Sequence, residues 1–190
     1  MTWSKGKLYI ISGPSGAGKG TICKEVLRRK PELELSISAT TRAPRATEIP
    51  GVSYLFVDKN KFLSMIKCGE FLEYSEHFEN YYGTPKLPVE QKLNEGKDVI
   101  LEIDVNGALQ VKANRPDCVL IFIMPPNIQS LRDRLRERNT ESDEVIEKRL
   151  QRAQFEISNT DKYDYIVMND VLETAVQNVL KIMEDTKNDK

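Results

Sequence analysis

Histidine and cysteine are scarce in this 190-residue chain: His77 stands alone, and the thiols are Cys23, Cys68 and Cys118. The cysteines are odd in number, widely spaced and without a C-x-x-C pair, so neither a zinc site nor a disulfide framework is expected. All of them are read as buried structural thiols, since free cysteine behaves as a small hydrophobe. His77 lies in Tyr74-Ser75-Glu76-His77-Phe78, with no nucleophile elbow or second ligand beside it. It is read as a bystander, which removes His-dependent triads and metal cages. Long apolar runs are also missing. The longest, Cys118 to Met124, is far short of the roughly 20 residues a membrane span needs. Met1 to Lys5 carries no apolar signal core, so a soluble cytoplasmic protein without membrane contact is expected. An excess of one charge is lacking too: 28 Lys and Arg face 29 Asp and Glu, for a net charge of -1. This balance argues against a general nucleic-acid binder, and no repeat, low-complexity tract or long linker divides the chain. One domain is expected, with 39% hydrophobic residues to build its core.

Apolar segments of strand character alternate with helical patterns, which predicts an α/β layer fold around a parallel sheet. Leu8-Tyr9-Ile10-Ile11 reads as a buried first strand, followed by a helix over Thr21 to Lys30 that Pro31 stops. Val99 to Ile103, Val119 to Ile123 and Tyr165 to Met168 read as further central strands, with a final helix from near Asp170. Between Ser36 and about Gly96 the pattern changes. Short strands over Ser36 to Thr40 and Ser53 to Val57, and a helix over Asp58 to Cys68 closed by Gly69, predict an inserted subdomain. From Asn127 to Thr160, two helical patterns joined by Arg138 to Ser142 predict a helical arm.

After the first strand comes Gly13-Pro14-Ser15-Gly16-Ala17-Gly18-Lys19-Gly20-Thr21, which fits G-x-x-x-x-G-K of the phosphate-binding loop. Glycines let the backbone turn its N–H groups toward phosphate oxygens, the following helix offers its positive end, and Lys19 neutralises the β/γ region. The position after Lys19 is Gly20, where the general pattern has a Mg²⁺-binding Ser or Thr. Thr21 comes one residue late, about 100° around the helix, so Mg²⁺ is expected to be held mainly by phosphates and waters.

In the insert, Arg42-Ala43-Pro44-Arg45 places two permanent cations near each other across a stiffening proline, either a clamp for a dianionic phosphate or ordinary surface charge. Asp104 follows a buried strand at the carboxyl edge of the sheet, where α/β proteins place ligands. The arm holds Arg132, Arg134, Arg136, Arg138, Arg149 and Arg152, matched by acids, so no basic footprint for nucleic acid exists. Helical spacing sets Arg134 and Arg138 on one side of the Leu131/Leu135 stripe and Arg132 and Arg136 on the other, and does not choose between them.

Ser38-Ala39-Thr40-Thr41-Arg42-Ala43-Pro44-Arg45, Gly51-Val52-Ser53-Tyr54, Glu70-Phe71-Leu72-Glu73, Asn80-Tyr81-Tyr82-Gly83-Thr84, Glu102-Ile103-Asp104-Val105-Asn106-Gly107 and Arg134-Leu135-Arg136-Glu137-Arg138 together resemble guanylate kinase, in order over about Lys7 to Leu172. The resemblance implies an ATP-dependent kinase that converts GMP or dGMP to the diphosphate, with Mg²⁺ accompanying ATP. It implies a P-loop three-layer sandwich with a central parallel sheet, an inserted α+β GMP-binding subdomain and a helical lid. The core would be about residues 1–34, 97–126 and 161–190, the insert about 35–96 and the lid about 127–160.

Carried over, the resemblance puts Arg42, Arg45, Tyr54 and Tyr82 around the GMP phosphate, and Ser38, Glu73, Thr84 and Asp104 near guanine. Guanine presents adjacent N1–H and N2–H donors that one carboxylate such as Glu73 can accept, while the Ser38 and Thr84 hydroxyls can donate to O6 or N7. Gly13 to Thr21 with Arg134 and Arg138 would bind ATP; Lys19, Arg42, Arg134, Arg138 and Arg149 would stabilise the transferred group. Asn169 would lie near the adenine edge. Two rivals remain: an adenylate-type kinase, opposed by Glu73 and the Ser38 to Arg45 run, and a non-catalytic phosphoprotein-binding module, opposed by the intact loop and arm arginines. Oligomeric state is open.

Overall fold

The computed structural model describes residues 5–77, 79–137 and 143–188. In chain order the elements are β1 (Leu8–Ser12), α1 (Lys19–Arg29), β2 (Glu34–Leu35), β3 (Ala39–Thr40), β4 (Leu55–Phe56), α2 (Lys59–Lys67), β5 (Phe71–His77), β6 (Asn80–Pro85), α3 (Lys86–Asn94), β7 (Val99–Glu102), α4 (Val105–Asn114), β8 (Val119–Met124), α5 (Ile128–Glu137), α6 (Asp143–Ile157), a 3-10 turn (Thr160–Lys162), β9 (Tyr165–Met168) and α7 (Leu172–Asn188).

A parallel sheet in the order β2-β7-β1-β8-β9 forms the centre. Its middle strand is buried throughout because both faces are covered. Tyr9 and Ile11 pack with Ile22 and Val26 of α1 and with Val176 and Val179 of α7. Leu8 and Ile10 pack on the other face with Val105, Ala108 and Val111 of α4 and with Val89 and Leu93 of α3. Burial on both faces is why β1, β7 and β8 read as continuous apolar runs rather than alternating ones. β2, a two-residue edge strand against Val99 and Ile100, was too short to leave a periodic signal. α1 starts at Lys19, earlier than Thr21, and ends at Arg29; Pro31 pushes Lys30 out of helical geometry, to φ -125. α7 starts at Leu172 rather than near Asp170.

The second sheet, ordered β4-β3-β6-β5, combines a parallel β3/β4 pair with the antiparallel β5/β6 hairpin. Only Ala39–Thr40 and Leu55–Phe56 of the longer expected runs pair as strands. Asp58 caps α2 by accepting the Lys61 N–H at 2.8 Å, and Gly69 at φ 67 ends it. Cys68, just before that glycine, is exposed, which corrects its assignment as a buried thiol; Cys23 and Cys118 are buried. α5 and α6 pack through Leu131, Leu135, Ile146, Leu150 and Ala153, an apolar cluster of their own. Arg138 and the rest of the joining segment, to Ser142, lie outside the described residues.

Candidate functional site

The loop between β1 and α1 owes its shape to glycine. Gly13 sits at φ 140, and a Cβ there would fall 2.5 Å from the Ile123 carbonyl oxygen. Gly18, at φ 91, would drive a Cβ to 2.3 Å from the Asn169 amide nitrogen. That amide donates to the Ala17 carbonyl at 2.7 Å, the Asn169 backbone N–H donates to Met124 at 2.8 Å, and its carbonyl accepts from Arg134 at 3.0 Å. Asn169, expected near adenine, is buried with its amide committed to the loop; its shown task is to fix the loop against β8 and α5. Lys19 Nζ donates to the Gly13 and Pro14 carbonyls at 2.7 and 3.1 Å. Burial presses its pKa down, opposed by the carboxylates of Glu102, Glu156 and Asp104.

Beside the loop, a cavity of about 280 Å³ is lined by Ser15, Gly16, Gly18, Lys19, Gly20, Thr21 and Glu102. A Cβ on Gly20 would lie 3.3 Å from Glu102 Oε1, so Glu102 stands directly over the position that lacks a hydroxyl. Burial raises the pKa of Glu102, against the pull of Lys19. Glu102 had no role assigned from its motif alone; its place at the carboxyl end of β7, two residues before Asp104, is the signal that marks it.

A larger cavity, about 330 Å³, runs from Gly13, Ser15 and Lys19 to Ser38, Tyr54, Glu73, Tyr82 and Asp104. Glu73 pairs with Thr84 across the β5/β6 hairpin, and the Thr84 hydroxyl donates to Glu73 Oε1 at 2.6 Å. Burial drives the Glu73 pKa up to about 7, partly offset by Thr84. Thr84 is fully buried behind Glu73 with its hydroxyl donating to the carboxylate, so it supports Glu73 from within the hairpin. Gly107 flanks the same carboxylate: a Cβ there would meet Glu73 Oε2 at 2.5 Å. Gly107→Ala is therefore expected to displace Glu73 and, for the GMP site that the resemblance implies, to raise KM for GMP by roughly 10-fold with a smaller change in kcat, as steady-state kinetics would show. Asp104 lines this cavity and caps α4, its Oδ1 accepting from the Gly107 N–H at 2.7 Å while Oδ2 is bonded by His77 and Ser75. Burial opposes its ionisation, but His77, the Gly107 N–H and Arg152 outweigh burial and hold its pKa below the ordinary value.

At the mouth, Arg42 makes a fork on Glu48, with contacts of 2.7 and 3.0 Å, and lies over the Tyr54 ring at 5.5 Å. Tyr54 and Tyr82 meet edge-on at 6.2 Å. Arg45 is exposed, and its backbone N–H donates to Glu48 Oε2 at 2.8 Å. The Arg42 guanidinium and the Arg45 backbone thus share one carboxylate, Glu48. Arg42, and then the Arg45 N–H, hold the Glu48 pKa below its ordinary value.

On the helical pair, Arg132 bonds Glu147 and Arg136 bonds Asp143 at 3.1 Å, tying α5 to α6. Arg134 turns instead to the Asn169 carbonyl, and Arg149 donates to Ser15 Oγ at 3.1 Å. Arg134 thus meets the residue that anchors the loop and Arg149 the loop itself, while Arg138 lies outside the described residues. His77 is no bystander. It lines the larger cavity with Arg152 and Glu156 and bonds Asp104, Ser75 and Arg152. The strand period could have found it, since Glu73, Ser75 and His77 alternate along one face of β5.

The guanylate kinase family profile matches residues 5–186. A guanylate kinase of Carboxydothermus hydrogenoformans is 54% identical over 96% of this chain and 90% of its own length. One of Clostridioides difficile is 47% identical over 99% of this chain and 92% of its own. Among solved structures, the crystal structure of guanylate kinase from Anaplasma phagocytophilum superposes with a TM-score of 0.81 at 32% identity, covering 98% of this chain and 89% of that one. With its phosphate-binding loop and buried Glu73 facing one cavity, the chain belongs to the guanylate kinase family.

Proposed function

We infer that this chain is an enzyme that transfers the γ-phosphoryl group of ATP to GMP, and to dGMP, yielding the diphosphate. The observation that carries the reading is a single cavity with the loop Gly13 to Lys19 at one end and the buried carboxylate of Glu73 at the other. A buried carboxylate backed by Thr84 can accept the N1–H and N2–H of guanine, and adenine offers it no such pair of donors. Ser38 and Asp104 would take further edges of the base, while Arg42, Arg45, Tyr54 and Tyr82 would hold its phosphate.

The acceptor is a phosphate oxygen already ionised near neutral pH, so the step needs no strong general base. What it needs is alignment and neutralisation of two polyanions. Lys19, released from its loop carbonyls to phosphate oxygens, with Arg42, Arg134, Arg138 and Arg149, would spread the charge on the transferred group. In this proposal Glu48 yields the Arg42 fork to the GMP phosphate, a stronger dianionic partner. Residues about 35–96 would act as the GMP-binding insert and about 127–160 as the lid that excludes water. Glu102 and Thr21, which share the small cavity at the loop, are the oxygen donors that fit Mg²⁺, directly or through water. Bound there with ATP, Mg²⁺ would neutralise phosphate charge.

Among the described residues no helix is long and apolar enough to cross a membrane. In this proposal the activity would act in the cytoplasm on free nucleotides, and no nucleic-acid partner is invoked. The test is ADP production from MgATP with GMP, dGMP, AMP, UMP and dTMP offered separately. Turnover with GMP and dGMP alone is expected; turnover with AMP would keep a kinase and overturn the guanine reading.

A further inference from the structure

Resting on that reading, we propose that His77 is a positioning residue for the phosphoryl transfer, joining the four-stranded sheet, the α4 cap and α6 so that Arg149 is held toward the loop. Its ring makes bonds on both sides. Nε2 bonds Asp104 Oδ2, and Nδ1 meets an Arg152 guanidinium nitrogen at 2.9 Å. A carboxylate only accepts and a guanidinium only donates, so this arrangement fits one state of the ring: neutral, with the proton on Nε2 and a lone pair on Nδ1. Ser75 Oγ, 3.0 Å from Nε2 and 3.3 Å from Asp104 Oδ2, closes the cluster from the same strand face.

Arg152 carries the connection into α6. Its Nε donates to Glu156 at 2.9 Å, one turn further on, and its NH2 approaches Asp104 Oδ2 at 3.6 Å. Arg149 precedes Arg152 by one turn on the same helical side and donates to Ser15 Oγ of the loop at 3.1 Å. Anchoring Arg152 therefore fixes both the height and the rotation of α6, and with them the aim of Arg149. The contacts among His77, Arg152 and Asp104 are within the protein itself, so the alignment is in place before either nucleotide binds. That is preorganisation, which acts on the transition state more than on substrate affinity.

The test is steady-state kinetics on the whole protein and on His77→Leu, His77→Gln, Arg152→Met and the His77→Leu/Arg152→Met pair, with His77→Met as a second apolar replacement and melting temperatures as a check on folding. An amide keeps one donor and one acceptor; leucine keeps neither. His77→Leu is expected to lower kcat about tenfold with both KM values within about twofold, the scale of one lost charge-assisted hydrogen bond. His77→Gln should recover most of the rate, and the double variant should be no slower than Arg152→Met alone, since both break one connection. The inference is overturned if the apolar variants keep the parent rate, if Gln is as slow as Leu, or if the two substitutions multiply. GMP-dependent turnover by the parent protein decides the kinase reading separately from any of these outcomes.

Discussion

Glu73→Gln is expected to cut the preference for GMP over AMP by roughly 100-fold while leaving the chain more stable at alkaline pH. The amide keeps the shape and can still accept from Thr84, but presents one acceptor and one donor where guanine offers two donors. GMP loses a charge-assisted bond, and AMP no longer leaves a buried carboxylate unpaired. Stability moves the other way. The folded chain holds the Glu73 proton up to about pH 7, against an ordinary value of 4.5. The folded state thus binds more protons than the unfolded one between those values. Stability from this group is fully present below about 4.5 and is lost as pH rises through about 7. The gap corresponds to up to about 3 kcal/mol at pH 8, which glutamine escapes, so the variant should melt several degrees higher there. An unaltered GMP/AMP ratio would remove Glu73 from base recognition, and equal melting temperatures at pH 8 would mean that burial does not hold its proton.

Lys19→Met is expected to lower kcat by on the order of 1,000-fold without weakening the fold. The side chain is half-buried, its ammonium shared between the Gly13 and Pro14 carbonyls and its charge disfavoured by lost solvation. A partly desolvated charge costs the free protein something, and methionine keeps the aliphatic length without it. Melting temperature should hold or rise while single-turnover ADP formation collapses. A rate within about tenfold of the parent would mean that the loop lysine does not meet the transferred phosphoryl group.

The central strands were legible because a parallel sheet covered on both faces demands continuous apolar segments, and Leu8 to Ile11 and Val119 to Ile123 supply them; Tyr165 to Met168, expected at the centre, is instead the edge strand β9, with Ile166 and Met168 exposed. The loop was legible because its glycines and lysine follow a strand and open a helix. Features held by tertiary partners were not. β2 forms only because β7 offers it an edge, and the roles of Thr84 and Asn169 are set by a carboxylate and a loop carbonyl distant in sequence. Glu48 carried no signal of its own in the sequence, because only the fold of the loop brings it onto Arg42. His77 was set aside for want of a catalytic neighbour in sequence; its partners, Asp104 and Arg152, arrive from α4 and α6.

The most direct test of the account is calorimetric titration of GMP into the protein at pH 7, in two buffers of different ionisation enthalpy, for the parent and for Glu73→Gln. With a Glu73 pKa of about 7 in the free protein, the carboxyl is about half protonated there and must ionise to accept guanine. The account predicts release of roughly half a proton per GMP bound by the parent, beyond the small share from the nucleotide phosphate, and loss of that release in the variant. Equal proton release and equal GMP affinity in the two proteins would contradict it.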